Sequence, residues 1–429
     1  MRTFISFEEA QKIVLSEAPV LESEKCALDC ADGRTLSGQV ISSENVPPFA
    51  SSAMDGFAVR SSDFVRQGQE PGQRQRQEPD QGIDRGTSGH LSFEIIEHIA
   101  AGVVPTKPLT SGTCARIMTG APIPAGADSV IPRERAEEVG GRVRFSGVAE
   151  QGKHIRPVGE DIGMGSTVFS AGTLITPPVI GMLATLGIHT PDVVRRPVVA
   201  IVSSGDEIVA PDKTPGPGQI RNSNGPGLRA QVLQAGGICS AFEHCPDDPG
   251  AIRRVIESVR GADLVLFSGG VSVGDHDYVK DVLGEMGMEM LFWKVKQRPG
   301  KPLVFGKLGH TLVLGLPGNP VSSAMCFSMY AQPLIRRFLG QNPTPEPLKA
   351  FLTDDIKKVE ELHYFSRGFA FQDNEGTLKV SLKGPQGSNL YSSVVKANCI
   401  LHLPAGKASL ARGSAVFIDR FPWSDLYLA

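Results

Sequence analysis

The sequence predicts a multidomain chain of α/β plus β type, and three observations predict it. Between 179 and 340, short apolar runs alternate with helical periodicity, the pattern of a parallel sheet wound on both faces by helices. From 91 to 175, short strands alternate with Gly and Pro turns, as in a β-rich insert. After the Pro-rich run NPTPEP, which reads as a linker from 341, residues 350–429 return to short strands and turns, a small β domain. A length of 429 residues accommodates two to four domains at about 150 residues each.

The elements follow in order. Residues 6–18 (SFEEAQKIVLSEA) predict a helix in which Ser6 is the N-cap, Glu9 completes a capping box, and Ile13 and Val14 share an apolar side. Residues 45–60 carry two prolines and then apolar–polar alternation, a turn leading into a strand. Residues 66–90 repeat Gln, Gly, Arg and Pro, with Ile83 as their one large apolar side chain. Such a segment cannot bury a core and is expected to be a disordered or extended surface loop. Pro197–Ser203, Asp263–Phe267 and Thr311–Leu316 are buried-strand runs. Helices are predicted over 224–236, 249–260, 276–286 and Val321–Leu339.

Composition excludes several classes. Hydrophobic residues at 41% and charged residues at 21% are ordinary globular usage, neither disordered nor collagen-like. Lys plus Arg at 43 against Asp plus Glu at 46 gives a net charge of −3, so the chain has no global basic footprint for nucleic acid. An anionic ligand therefore needs a locally basic pocket. The start, MRTFISFEEAQK, lacks a basic stretch followed by an apolar one, and no secretory signal is expected. No apolar run approaches the roughly 18 residues of a membrane span. Seven scattered cysteines, with Cys26 and Cys30 the nearest pair, fit free thiols in a reducing cytoplasm.

The unusual residues follow the strands. SGDE (204–207), RNSNG (221–225), SGGVSVGDHD (268–277) and LPGNPVSS (316–323) all stand at strand or helix ends. In an open parallel sheet the carboxyl ends of the strands line the ligand crevice, so these loops are expected to converge. SGGVSVGD has the makings of an anion cradle: glycines admit a phosphate to the backbone, and successive N–H groups form a nest. The plainer reading is a tight turn with Asp275 or Asp277 as a helix cap. Asp206, Glu207, Asp247, Asp248, Asp275 and Asp277 lie on or near these loops, an arrangement that suits a bridging magnesium. Asp247 and Asp248 also precede Pro249 and a helix, where one of them can cap. No GxxxxGK[ST] loop, no GxGxxG after a strand and no HExxH occurs, which argues against a P-loop, a dinucleotide site or a zinc site. Lys294, Lys296, Arg298 and Lys301 lie within eight positions, and alternation puts the first three on one face. They form either a solvated basic strand or a receptor for an oxyanion.

These features, with VPPFASSAMDGFAV (46–59), RIMTGAPIPAGADSVIP (116–132), IRPVGEDIGMG (155–165), SSGDEIV (203–209), SGGVSVGDHDYVK (268–280), RPGKPLVFG (298–306) and LPGNPVSS (316–323), resemble the molybdopterin molybdenumtransferase family, the MoeA type to which the gephyrin E domain belongs. The resemblance implies a small first domain (1–45 and 152–178) whose N-terminal helix can pack on the α/β domain. It also implies an inserted β-rich domain (46–151), a doubly wound molybdopterin-binding α/β domain (179–340) and a C-terminal β-barrel-like domain (341–429). The implied reaction inserts molybdate into adenylylated molybdopterin, assisted by magnesium, with AMP released. The implied assembly is a homodimer whose sites are shared between subunits. An upstream adenylyltransferase and recipient molybdoenzymes are the implied partners.

By the same resemblance, Asp55 matches the essential aspartate, and Thr119, Arg156 and Asp161 match polar residues beside it. Glu207, Asp247 and Asp277 match the acids and magnesium ligands of the α/β domain. Ser268, Gly269, Gly270, Ser272, Gly274, Pro317, Gly318 and Asn319 fall in the substrate loops. Lys294, Arg298, Lys301, Arg367 and Ser388 match or flank the molybdate-binding positions. Three positions depart from the pattern: Arg298 stands for a usual Lys, Ser204 for a usual Thr and Ala50 for a usual Asp. The alternatives are a molybdopterin adenylyltransferase, which the α/β part alone would fit, and a non-catalytic scaffold. The additional β domains and SAMDG tilt against the first, and the absence of a further fused domain tilts against the second.

Overall fold

A computed structural model describes residues 1–64, 84–85, 91–270, 278–382, 384–424 and 427–428. The Gln-rich reading of 66–90 and the positions Ser272, Gly274 and Asp277 lie outside the described residues, apart from a two-residue strand at Asp84–Arg85. The chain forms two units. One comprises Met1–Gly38, Ala171–Ile180 and His189–Ala429, and the other Gln39–Ser170 and Gly181–Ile188.

The first unit is built on a seven-stranded sheet in the order Arg2–Ile5, Glu289–Val295, Val304–Leu308, Thr311–Leu316, Leu264–Ser268, Val198–Ser204 and Ile238–Cys245. All strands run parallel except Val304–Leu308, which is antiparallel to both neighbours. The two-residue side-chain period sends each central strand's apolar residues to opposite faces. Val199, Ile201, Leu264, Leu266, Leu312 and Leu314 pack on one face. Ala200, Val202, Val265, Phe267 and Val313 pack on the other. Helices Phe7–Ser16, Asn224–Gln234 and the helical run 320–338 cover the first face through Phe7, Val14, Leu228, Val232 and Leu334. Pro249–Ser258 and Tyr278–Glu285 cover the second through Ile252, Ile256, Val279 and Val282. A sheet buried on both sides has no polar face, which is why its central strands read as continuous apolar runs.

Local expectations meet the structure with two corrections. Ser6 caps the first helix, its hydroxyl accepting the Glu9 N–H at 3.1 Å. The capping box is only half made, because the Glu9 carboxylate is taken by Arg2 Nη1 at 2.6 Å. The long helix is interrupted: Pro320–Cys326 and Gln332–Phe338 are joined by a π-helical turn at Phe327–Ala331. Sequence periodicity missed both edge strands, Arg2–Ile5 and Ile238–Cys245. Their exposed outer sides leave them without an unbroken apolar run.

Beyond the α/β part of the same unit, His363–Gln372, Leu378–Ser381, Leu348–Leu352, Ala415–Arg420 and Cys399–Leu403 pair in that order and close back on the first, a five-stranded barrel. Its interior is Ala350, Ala370, Val380, Leu401 and Ile418. Gln297–Arg298 adds in parallel to His363–Tyr364 and so joins the barrel to the α/β part. The second unit is a β-sheet in the order Ala136–Val139, Arg142–Phe145, Leu91–Ile99, Thr113–Ile117, Gly56–Val59 and Ser129–Pro132, packed on Phe57, Phe64, Phe93 and Phe145. All seven cysteines are free thiols. Among the described residues no helix is long and apolar enough to cross a membrane.

Leu266, fully buried in the central strand, tests the packing. Leu266→Ala is expected to cost roughly 2–5 kcal/mol, read as an earlier denaturant midpoint for the α/β part. Met164→Ala, at an exposed position, is expected to stay within about 0.5 kcal/mol.

Candidate active site

Three central strands end level. Ser203 lies opposite Ser268, and Ser268 opposite Leu316. The loops that leave these ends therefore start side by side, as a parallel sheet requires of a carboxyl-end crevice. They enclose a cleft of about 410 Å³, lined by Ser204, Gly205, Glu207, Arg221–Asn224, Asp247, Ser268–Gly270 and Pro317–Asn319. Of the sequence-predicted residues, Glu207, Asp247, Ser268, Gly269, Gly270, Pro317, Gly318 and Asn319 meet here.

Glycine is required where the loops touch. At Gly269, φ is +98°, and a Cβ would stand 2.7 Å from the Ser204 carbonyl oxygen. At Gly270, φ is +66°, and a Cβ would strike Val279 at 2.4 Å. Positive φ at both glycines lets the chain turn sharply at the strand end, with no side chain to keep a ligand from the backbone. Asn224 ties this turn to the next loop: its Nδ2 donates to Ser268 Oγ at 2.8 Å and to the Gly318 carbonyl at 2.7 Å.

The two adjacent aspartates separate by role. Asp248 caps helix Pro249–Ser258, its carboxylate accepting the Ala251 N–H at 2.7 Å. Asp247 instead lines the cleft and accepts a short hydrogen bond from the Ser204 hydroxyl, while its N–H donates to Asp206 at 3.1 Å. Among the described residues no three His, Cys, Asp or Glu side chains form a metal cluster by themselves.

The cations do not form the single face that alternation implies. Lys294 has φ +66°, which interrupts the extended backbone, and its ammonium lies 3.8 Å from the Trp293 ring centre. Lys296 and Lys301 both approach the Phe4 ring, at 5.5 and 4.9 Å. Arg298 faces Tyr364 at 5.6 Å. The four side chains go to three places, Lys294 to its neighbour Trp293 and the others to Phe4 and Tyr364, far away in the sequence.

Arg298 lines a second cavity of about 330 Å³, together with Lys357, Tyr364, Arg367, Gln386 and Gly387. Arg367 is 1% exposed. Its Nε donates to Ser393 Oγ at 3.0 Å, and its Nη2 donates to the Pro385 and Gly387 carbonyls at 3.3 and 3.1 Å. Among the described residues no carboxylate pairs with it, and burial pulls its affinity for a proton below the ordinary guanidinium value. Ser388 lines neither space: it follows Gly387 of the cavity, and its carbonyl accepts the Val321 N–H at 3.2 Å at the start of helix Pro320–Cys326. The bend 298–302 has Arg298 in the cavity and Pro302 in the cleft.

Asp55, Thr119, Arg156 and Asp161 belong to the second unit. There the Asp55 carboxylate accepts both the N–H and the hydroxyl of Thr119 at 2.7 Å. Arg156 pairs with Ser51, and the Asp161 N–H donates to the Val46 carbonyl at 3.0 Å. Gly56 follows Asp55 because a Cβ there would stand 2.1 Å from the Ile131 carbonyl oxygen of the neighbouring strand. The Thr119 N–H, the Thr119 hydroxyl and the Arg133 charge together hold the Asp55 carboxyl below its usual value.

Three family descriptions match consecutive parts of the chain: the MoeA N-terminal region (domains I and II) over 5–187, a probable molybdopterin-binding domain over 200–337, and the MoeA C-terminal region (domain IV) over 349–418. The chain is 34% identical over 424 residues to the molybdopterin molybdenumtransferase of Haemophilus influenzae, covering 97% of this chain and 98% of that protein. This chain belongs to the molybdopterin molybdenumtransferase family. A family member from Bacillus subtilis is 33% identical over 440 residues, covering 99% and 98% of the two chains. The crystal structure of a molybdopterin biosynthesis MoeA protein from Pyrococcus horikoshii superposes with a TM-score of 0.81 at 28% identity, covering 97% and 98%. The chain is accordingly a transferase of molybdenum cofactor biosynthesis.

Sequence reasoning passed over Asn224, Gln297 and Lys357. Asn224 stood within a noticed loop, RNSNG, yet the loop alone does not say which side chain bridges two others. Lys357 is an exposed lysine among many, and only its place at the cavity sets it apart.

Thr119→Val removes one of the two Thr119 bonds to Asp55 and keeps the backbone one. Carboxyl NMR titration is expected to show Asp55 moving up toward its ordinary value without reaching it. The sign follows from linkage: a carboxyl lowered in the folded state supports folding above its unfolded pKa, and that support is lost as pH falls through the folded pKa. In Thr119→Val the loss begins at higher pH.

Proposed function

We propose that the chain inserts molybdate into adenylylated molybdopterin, releasing AMP and forming molybdenum cofactor. The observation that carries this reading is Arg367. A buried guanidinium bonded, among the described residues, to a hydroxyl and carbonyls alone is costly unless a counter-charge arrives. It lines a cavity with Arg298 and Lys357, which suits a small dianion. The neighbouring cleft offers glycine turns for a phosphate and carboxylates beside them. Molybdate and the phosphate-bearing pterin thus occupy adjoining sites, with the bend 298–302 between them.

Each group in this reading has a task. Arg367 and Arg298 hold the oxyanion and offset its repulsion by the phosphates, which is about 1 kcal/mol per charge pair at 4 Å in water and more in a drier cleft. Ser268–Gly270 and Pro317–Asn319 hold the phosphates, with Asn224 keeping the two loops together. Glu207 and Asp247 are the kind of donors magnesium takes, since it uses one or two carboxylates and completes its shell with phosphate oxygens and water. Bound there, magnesium would neutralise phosphate charge and polarise phosphorus. AMP leaves when an oxygen of water or molybdate adds to phosphorus and the bridging P–O bond breaks. The family resemblance adds a cytoplasmic homodimer in which Asp55 of one subunit serves the cleft of the other.

Incubating the protein with adenylylated molybdopterin, magnesium and molybdate is expected to release AMP and yield cofactor that activates an apo-molybdoenzyme. Arg367→Lys is expected to raise the molybdate KM by about tenfold or more, because an ammonium cannot reproduce the guanidinium fork. Asp247→Asn is expected to fold normally, to need more magnesium and to release AMP more slowly. AMP release unaffected by either substitution overturns the reading.

The shared-site arrangement has its own test. Inactive Asp55→Ala and Asp247→Ala proteins, refolded together, are expected to regain part of the activity through hybrid dimers. Mixtures as inactive as either parent remove the shared site.

A further inference from the structure

Gln297 sits in the middle of the cationic bend, yet it is 1% exposed and surrounded by the apolar core. Its amide is fully used. Nε2 donates to the Gly300 carbonyl at 3.1 Å and to Cys326 Sγ at 3.5 Å, and Oε1 accepts the Tyr330 hydroxyl. Tyr330 belongs to the π-helical turn at Phe327–Ala331, and Cys326 immediately precedes it. Burial pushes the Cys326 thiol up to about 12 and raises Tyr330 well above its ordinary value, so the tyrosine keeps the proton it donates. The backbone of Gln297 pairs with His363, and that of Arg298 with Tyr364, on the barrel strand that carries Arg367. Gly300, at φ +86°, presses on the same helix: a Cβ there would lie 2.2 Å from Cys326 Sγ. One residue thus joins the bend and the helix that starts at the cleft through its side chain, and the barrel strand of the cavity through its backbone.

Stability alone does not call for an amide here. Replacing a buried hydrogen-bonded group and its partner by apolar groups of similar shape is often close to neutral. What the amide adds is direction. It fixes the Gly300 carbonyl and thereby the path of the chain from Arg298 to Lys301. We propose that Gln297, held in place by Tyr330, is a positioning residue for the oxyanion cavity: it sets the bend that presents Arg298 beside Arg367. The inference rests on the cavity being the molybdate site. It assigns the affinity of that site to a buried network outside it.

The test compares Gln297→Met and Tyr330→Phe with the unmodified 429-residue chain, using molybdate and adenylylated molybdopterin. Gln297→Met fills the same space without donors or acceptors and is expected to raise the molybdate KM about tenfold, the size of one lost charge-orienting hydrogen bond. Its pterin KM and its kcat at saturating molybdate are expected to stay within about twofold. Tyr330→Phe is expected to shift the molybdate KM in the same direction by a smaller factor. The double variant is expected to be no worse than Gln297→Met, because the two act through one network. An unchanged molybdate KM in the variants overturns the proposal. So does an equal rise in both substrates' KM with a lowered melting temperature, the mark of a merely structural role. If Gln297→Met does not fold, Tyr330→Phe decides alone. Failure of the underlying reading is distinct: Arg367→Lys would then also leave the molybdate KM unchanged. A normal Arg367→Lys effect beside silent Gln297 and Tyr330 variants overturns the positioning role only.

Discussion

Ser203, Ser268 and Leu316 stand in register across three parallel strands, and the cleft depends on that alignment. Hydrogen bonding between strands makes the ends level, so three loops leave the sheet at one height. A shift of one residue would turn every side chain of a strand to the opposite face. The two apolar faces forbid such a shift, since Ile201, Leu266 and Leu314 belong to one cluster and Val202, Phe267 and Val313 to the other. The site is thus positioned by packing several residues below it.

Close approach is the second requirement. The turn after Leu264–Ser268 lies against the Ser204 backbone, and Gly318 comes within 3.7 Å of Gly269 Cα when a Cβ is built on it. Backbones this near leave room for N–H groups to face a ligand and little room for side chains. The polar work then falls to few residues, each with several partners. Asn224 bridges two loops, and Ser204 bonds Asp247. The parallel sheet, the glycine turns and the carboxylates form one construction rather than three.

The cavity near the barrel follows a different logic. Arg367 gives up water for carbonyls and a hydroxyl, an arrangement that is poor for stability and good for receiving an anion. Its strand is joined to the α/β part through Gln297–Arg298, so the barrel and the basic bend move as neighbours in one sheet. The π turn at Phe327–Ala331 brings Tyr330 to that junction, and π turns inside helices often coincide with functional positions.

Much of the fold was legible because its cause is local. Apolar runs marked Val198–Ser204, Leu264–Ser268 and Thr311–Leu316, and Ser6 marked the first helix. Residues at the carboxyl ends of those strands marked the cleft, since a parallel sheet leaves them nowhere else to go. The edge strands were not legible, because an exposed strand such as Ile238–Cys245 carries no unbroken apolar run. Within the site, sequence alone left Asp247 and Asp248 equivalent. Only the folded chain decided that Asp248 caps its own helix while Asp247 meets Ser204 from another strand. The same holds for the basic bend. The sequence determined how many cations it carries and their spacing, whereas Phe4 and Tyr364, far away in the chain, decided where Lys296, Lys301 and Arg298 point. A strand's identity is set by its covalent neighbours, but a side chain's direction beyond the strand end is set by whatever distant residue the fold brings beside it.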